Sequence, residues 1–296
     1  MMTDWHERMV KALQLNGKGE GTQHVYARTV RMLIEFYRKS PDEITEEDLQ
    51  NYFLHRKNIS NWSAKTMQIG YCGIRFFYEH VLQREWPILR LLKAQKEHRL
   101  PCVLSIDEVR GILSHVHTPH NYAFFSVVYS CGLRLDEALN LNVSDIDSKR
   151  MMIHVHRGKG AKDRYVPLPQ STLKLLRAYW VTHRNPRLVF PAIGRDGRGA
   201  RDADTPMARS SVQGAFHKAK MEAGIRKRHV AIHTLRHSYA THLLEAGVNL
   251  RVIQKNMGHT QMETTMIYLH LTQKGQEDAC QLINQVMEGL DHDHHQ

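Results

Sequence analysis

The residues best suited to chemistry lie in the stretch HTLRHSYATHLLEAG, positions 233–247. His233, Arg236 and His237 fall at spacings that share one face of a helix. His233 and His237 have the i, i+4 spacing of a zinc-binding pair. Thr234, Leu235 and Arg236 stand between them, so the glutamate of a zinc hydrolase is missing and a guanidinium would repel a divalent cation. A phosphate suits the set better. Arginine is planar, always charged and forks onto two phosphate oxygens, and a histidine beside it adds a donor or moves a proton near neutral pH. His233 and Arg236 are expected to serve a phosphate, and His237 to make a structural hydrogen bond.

Other segments supply further groups. In CGLRLDEALNL, Gly132 ends an apolar helix, Arg134 opens the next, and Glu137 follows three residues on, close enough to hold the guanidinium. Leu133, Leu135, Ala138 and Leu139 make this region apolar, so Arg134 lies near a core, where a cation needs a purpose. Gly158-Lys159-Gly160 forms a basic tip whose glycines let a backbone come close, with Lys162 nearby. It lacks the spacer, the final Ser/Thr and the strand-to-helix context of a P-loop, and GRDGRG at 194–199 fails as a dinucleotide fingerprint. Nucleoside triphosphate use has no support. In NMGHTQMETTMIYLHL, His259 follows Gly258, a natural helix stop, and Thr260-x-x-Glu263 is expected to cap a short helix carrying Tyr268. Such a tyrosine usually packs, but its hydroxyl becomes a nucleophile when aimed at a phosphate between two arginines.

These groups need a scaffold, and the hydrophobic patterning describes one. Tyr26, Val30, Leu33 and Tyr37 recur at helical spacing. Thr45-x-x-Asp48 starts a second helix, and Ser63 a third through Met67, Tyr71, Ile74 and Phe77. About four helices therefore fill residues 1–95. A basic, proline-punctuated linker over 96–104 follows, and Ser105-x-x-Glu108 caps the next helix. Residues 105–290 read as helices around 170–183, 208–223, 233–246 and 249–256, interrupted by one β-hairpin at MMIHVHRGKGAKDRYVPLP. Ala279, Leu282, Ile283, Val286 and Met287 form a stripe between Lys274 and Leu290, an amphipathic helix that needs an apolar groove. A polar tail, 291–296, ends the chain. The fold class is mainly α with a small β-hairpin or sheet.

Composition narrows the partners. The formal charge of +11 favours a polyanion, nucleic acid before others. Cys72, Cys102, Cys131 and Cys280 contain no C-x-x-C pair, which fits neither a zinc ribbon nor a disulfide framework and suits a reducing cytoplasm. No apolar run reaches the length of a membrane span, and no signal-peptide core opens the chain.

Taken together, GLRLDEAL, GKGAKDRYVPL, HTLRHSYATHLLEAG and MGHTQMETTMIY resemble the tyrosine recombinases, the phage-integrase family, with the Xer-type and the integron- or transposon-borne branches nearest. The resemblance covers the whole chain and implies a SAM-like helical core-binding domain before an α+β catalytic domain. It implies a site-specific recombinase or integrase that cleaves and rejoins double-stranded DNA through a 3′-phosphotyrosyl intermediate, without metal, ATP or other cofactor. Its catalytic residues would be Arg134, Lys159, His233, Arg236, His259 and the nucleophile Tyr268, with Glu137 orienting Arg134. The two arginines and His259 would hold the phosphate oxygens, Lys159 would protonate the departing 5′-oxygen, and His233 would take the tyrosine proton. The resemblance further implies a homotetramer on DNA that exchanges its C-terminal helix, and a cytoplasmic, nucleoid-associated location. Two rivals stay open: a type IB topoisomerase-like nicking-resealing enzyme, and a non-catalytic DNA-binding protein on the same fold. Asn256 in KNMGH stands where an aliphatic residue is usual.

Overall fold

The structure, a computed structural model, describes residues 4–87, 100–156, 163–194, 199–269 and 272. Lys159, with the rest of 157–162, and the expected amphipathic helix over 274–290 lie outside the described residues. The chain divides into two units, Met1–Arg99 and Leu100–Gln296.

The first unit is helical throughout its described part: α1 (Asp4–Leu15), α2 (Glu20–Tyr37), α3 (Glu46–Asn58) and α4 (Ala64–His80). Local chemistry sets the ends. Thr45 and Asp48 exchange side-chain and backbone bonds in a reciprocal capping box before α3, and Ser63 accepts from the Thr66 N–H before α4. Met9, Leu13, Val30, Leu33, Leu49, Phe53, Ile74 and Phe77 fill one core. Each such side chain contributes about 1.5–3 kcal/mol by leaving water.

The second unit builds on α6, which carries seven buried residues. Its elements are α5 (Ile106–Ser114), α6 (Pro119–Cys131), α7 (Leu135–Leu139), β1 (Ile146–Asp147), β2 (Met152–Val155), β3 (Arg164–Pro167), α8 (Gln170–His183), α9 (Arg209–Glu222), α10 (Ile232–Glu245), α11 (Leu250–Met257) and α12 (Glu263–Met266). Ala123, Phe124, Phe125, Val127, Val128 and Cys131 are all buried, and α8 and α10 pack against α6. Residues 100–104 belong to this unit: Leu104 is fully buried and its N–H donates to Ser238 Oγ on α10 at 2.9 Å.

The hairpin expected from sequence is part of an antiparallel sheet ordered β1-β2-β3, with Ile153 opposite Val166, His154 opposite Tyr165 and Val155 opposite Arg164. The two-residue β1 is too short to show a period of two. One local expectation fails. Thr260 does not cap α12, which begins at Glu263 after Met262, a residue with helical dihedrals and no side-chain cap, and Tyr268 lies two residues past its end. A side-chain cap requires an extended residue directly before the first turn, and Thr260 stands too early. Among the described residues no helix is long and apolar enough to cross a membrane.

Candidate functional site

Two helix stops bring the charged groups together. α6 ends at Gly132 with φ of +60°, and a Cβ there would lie 2.4 Å from the Tyr239 ring. α11 ends at Gly258 with φ of +61°, and a Cβ there would meet the Arg164 side chain at 2.9 Å. Only glycine meets both demands at each position. The Gly132 and Met257 carbonyls, freed at these helix ends, accept from the two terminal nitrogens of Arg236, and the Gly258 carbonyl accepts from Arg134 Nη2 at 3.3 Å.

Glu137 joins the guanidiniums. Its Oε1 accepts from Arg134 Nη1 at 2.7 Å and from Arg164 Nη1 at 2.9 Å, and its Oε2 accepts from Arg164 Nη2 at 2.7 Å and from the Arg134 backbone N–H at 2.8 Å. Arg236 Nη1 stands 3.8 Å from the same oxygen. Burial alone would raise the Glu137 carboxyl, but the bonds and charge of Arg164, then those of Arg134, hold it down at about 2. Three guanidiniums thus share one carboxylate, leaving two positive charges without a counter-charge inside the cluster. Arg236 is 1% exposed, and burial with the neighbouring Arg134 lowers it to about 9, still charged at neutral pH.

Tyr268 is fully buried beside this cluster. Its hydroxyl shares a hydrogen bond of 2.9 Å with His237 Nδ1, and its ring stacks on His259 at 6.3 Å between centroids. Burial raises the phenol to about 12, while the Arg236 and Arg134 charges pull the other way. His259 Nε2 lies 3.5 Å from Arg236 Nη2, and its Nδ1 bonds the Thr265 hydroxyl at 2.9 Å. Burial and then the Arg236 charge lower His259 to about 3; burial and then His233 lower His237 to about 4. Both rings are neutral at pH 7.

Arg134, Glu137, Arg236, His259 and Tyr268 are therefore brought together. His233 stands at the rim: it is exposed and meets His237 edge-on, with ring centroids 4.9 Å apart. Among the described residues the partner of the Tyr268 hydroxyl is His237, to which the sequence reading gave only a structural bond. That reading also passed over Arg164. The signal was present: with Val166 facing the core, a period of two turns Arg164 inward, and a cation at an inward strand position needs a counter-charge. Two open grooves flank the cluster, one lined by Arg134, Arg209, His217 and His233, the other by Arg164, Lys255 and His259.

The depressed histidines make stability depend on pH, with a definite sign. Above pH 6.5 neither the folded nor the unfolded chain protonates His237 or His259. Between pH 6.5 and about 4 the unfolded chain binds protons that these folded rings refuse, so stability falls as pH falls. The loss is on the order of 2 kcal/mol per ring once water reaching them is discounted. Glu137 adds its own loss only below pH 4.5. Thermal melts from pH 7.5 to 4 should show Tm declining from about pH 6.5, with a shallower decline in His237→Gln. A flat profile down to pH 5 would contradict the neutral-ring assignment.

Residues 103–274 match the phage integrase family, and residues 5–88 match its N-terminal SAM-like domain. A Sinorhizobium fredii protein provisionally named integrase/recombinase is 36% identical over 272 residues, spanning 92% of this chain and 85% of its own length. Tyrosine recombinase XerA of Thermococcus onnurineus is 34% identical over 285 residues, 94% of each chain. In fold, the chain superposes on the XerH site-specific recombinase, solved bound to its difH substrate after cleavage, with a TM-score of 0.67, 19% identity and coverage of 92% and 83%. The chain belongs to the phage integrase family, the tyrosine recombinases, enzymes that cleave and rejoin DNA strands.

Proposed function

We propose that Tyr268 attacks a scissile phosphate of a double-stranded recombination site. The phenolic oxygen bonds phosphorus, the P–O5′ bond breaks, and a 3′-phosphotyrosyl link and a 5′-hydroxyl result. Attack places extra negative charge on the non-bridging oxygens. The observation that carries this reading is the pairing of a buried tyrosyl hydroxyl with a guanidinium cluster holding two uncompensated positive charges. Arg134 and Arg236 would clamp the oxygens, and Glu137 and Arg164 would fix Arg134 from behind. Thr265, donating to His259 Nδ1, would leave Nε2–H to serve a phosphate oxygen. The proton of Tyr268 would leave toward the α10 histidines: His237 holds the hydroxyl, and exposed His233 can exchange with solvent. Lys159 would protonate the 5′-oxygen.

Because the phosphodiester energy is kept in the tyrosyl ester, rejoining to another 5′-hydroxyl needs no ATP. The guanidiniums neutralise charge as a divalent cation would. The net charge of +11 would set affinity for duplex DNA and its salt dependence. Four protomers exchanging the stripe over 274–290 would complete the assembly; the mass of the complex on paired sites checks that number.

A nicked suicide duplex, which loses its 5′-hydroxyl fragment after cleavage, tests the chemistry. Wild-type protein should accumulate a covalent DNA adduct, and Tyr268→Phe should form none. An adduct that persists in Tyr268→Phe would assign the nucleophile elsewhere.

A further inference from the structure

We propose that His154, His156 and Asp163 form a binding site for a zinc-class divalent cation at the base of the β2–β3 hairpin, with Asp145 orienting the second imidazole. His154 lies on the outward side of β2 and His156 directly follows the strand's last residue, while Ile153 and Val155 face the core. Asp163 directly precedes β3. Continuing the register from Val155 opposite Arg164 sets Asp163 opposite His156. One ligand atom from each of the three residues lies within 4.8 Å of the other two.

The separations fit the chemistry. Asp163 Oδ2 is 3.3 Å from His154 Nε2 and 3.5 Å from His156 Nδ1. Zinc holds nitrogen and oxygen ligands at about 2.0–2.1 Å, and a tetrahedral angle then places neighbouring ligand atoms about 3.3 Å apart. His156 and Asp163 have half-exposed side chains, at 50% and 51%, so an ion can reach them and water can take the fourth position.

An independent observation comes from the far side of His156. Its Nε2 lies 2.9 Å from Asp145 Oδ1, and that carboxylate is only 7% exposed. The other oxygen of Asp145 is fixed by the Asn142 backbone N–H at 2.8 Å. A carboxylate accepts, so the imidazole must carry its proton on Nε2. Nδ1 on the other edge of the ring then faces the oxygen of Asp163 at 3.5 Å, the separation of two ligand atoms that share one cation. A buried carboxylate gripping the outer nitrogen of a histidine is the usual support of a metal ligand. His154 is oriented separately by stacking on Tyr165, with centroids 4.5 Å apart and planes 11° from parallel. Imidazole and carboxylate ligands in a tetrahedral frame select zinc-like ions over magnesium or calcium.

Sequence alone did not bring this trio forward, because Asp163 joins His154 and His156 across the hairpin. An ion here would tie the end of β2 to the start of β3. Lys159 stands three residues after His156 and four before Asp163, so a role for the ion in placing that lysine rests on the proposed function. The metal site itself does not.

The test uses the full chain with His292→Ala, His294→Ala and His295→Ala, which removes the three imidazoles of the DHDHHQ tail as competing ligands. Cobalt(II) alone is titrated and followed by its visible absorption, and zinc(II) is then added. One equivalent of cobalt should give the intense band of a tetrahedral site, displaced by one equivalent of zinc. His156→Ala and Asp163→Asn should each weaken cobalt binding by more than about 100-fold, and Asp145→Asn by about 10- to 100-fold. Unchanged far-ultraviolet circular dichroism verifies folding, and zinc should raise Tm only in the protein retaining the three ligands. Absence of a stoichiometric cobalt band, or a band that survives His156→Ala and Asp163→Asn, overturns the proposal. Loss of covalent adduct formation with the cobalt band intact would instead count against the proposed function.

Discussion

Glu137→Gln is expected to lower stability by about 3–5 kcal/mol, because it leaves buried cations without their counter-charge. The side chain keeps its shape, so the loss is electrostatic. Glu137 now takes bonds from Arg134 and Arg164 on both oxygens and faces Arg236 at 3.8 Å. Glutamine offers one accepting oxygen and turns an NH2 group toward guanidinium donors. A loss of that size lowers Tm by on the order of 10 °C in a unit of this length. Asp136→Asn is the control. That carboxylate pairs with Arg209 on the surface, with side chains 61% and 55% exposed, and its loss should cost less than about 1 kcal/mol. Thermal and urea unfolding of both variants checks the contrast. If Glu137→Gln melts with the wild type, the guanidiniums hold one another apart by other means and the carboxylate is no hub.

The same cluster explains which features could be read from the chain. Arg134, Glu137, Arg236, His259 and Tyr268 each stand in a contiguous motif, and Arg134, Glu137 and His259 follow helix stops, which are local events announced by glycine. Gly132 and Gly258 reach left-handed dihedrals wherever the rest of the chain goes. The helix starts at Thr45, Ser63 and Ser105 are legible for a similar reason, since a side-chain oxygen finds its own backbone three residues on. Arg164 is different. Its meaning depends on which face of β3 meets Glu137 and α11, a choice made by packing across more than two dozen residues. The two α10 histidines pose the same difficulty. Both lie on one helix face, and the short turns around α12, not the spacing, decide that Tyr268 meets His237. Thr260 shows the converse: a correct capping pattern is idle when the backbone before the helix is already helical.

Arg236→Lys should slow covalent adduct formation by about 10²–10³-fold while leaving DNA binding nearly unchanged. Arg236 spends its two terminal nitrogens on diverging acceptors, the Gly132 and Met257 carbonyls, and this fixes the plane of its fork beside Tyr268. A single ammonium cannot reach both carbonyls and a phosphate as well. Each carbonyl left unpaired costs about 1–3 kcal/mol, so Tm should also fall by several degrees. The rate loss is separable from the stability loss, because single-turnover cleavage can be followed well below the melting transition. Arg134→Lys provides the comparison: Arg134 is more exposed, at 22% of its side chain, and is held by Glu137 rather than by two helix ends. Its replacement should lower the cleavage rate similarly with less effect on Tm. Adduct formation at the wild-type rate in both variants would mean that the guanidiniums only brace the fold, and the charge that receives the phosphate would have to come from outside this cluster.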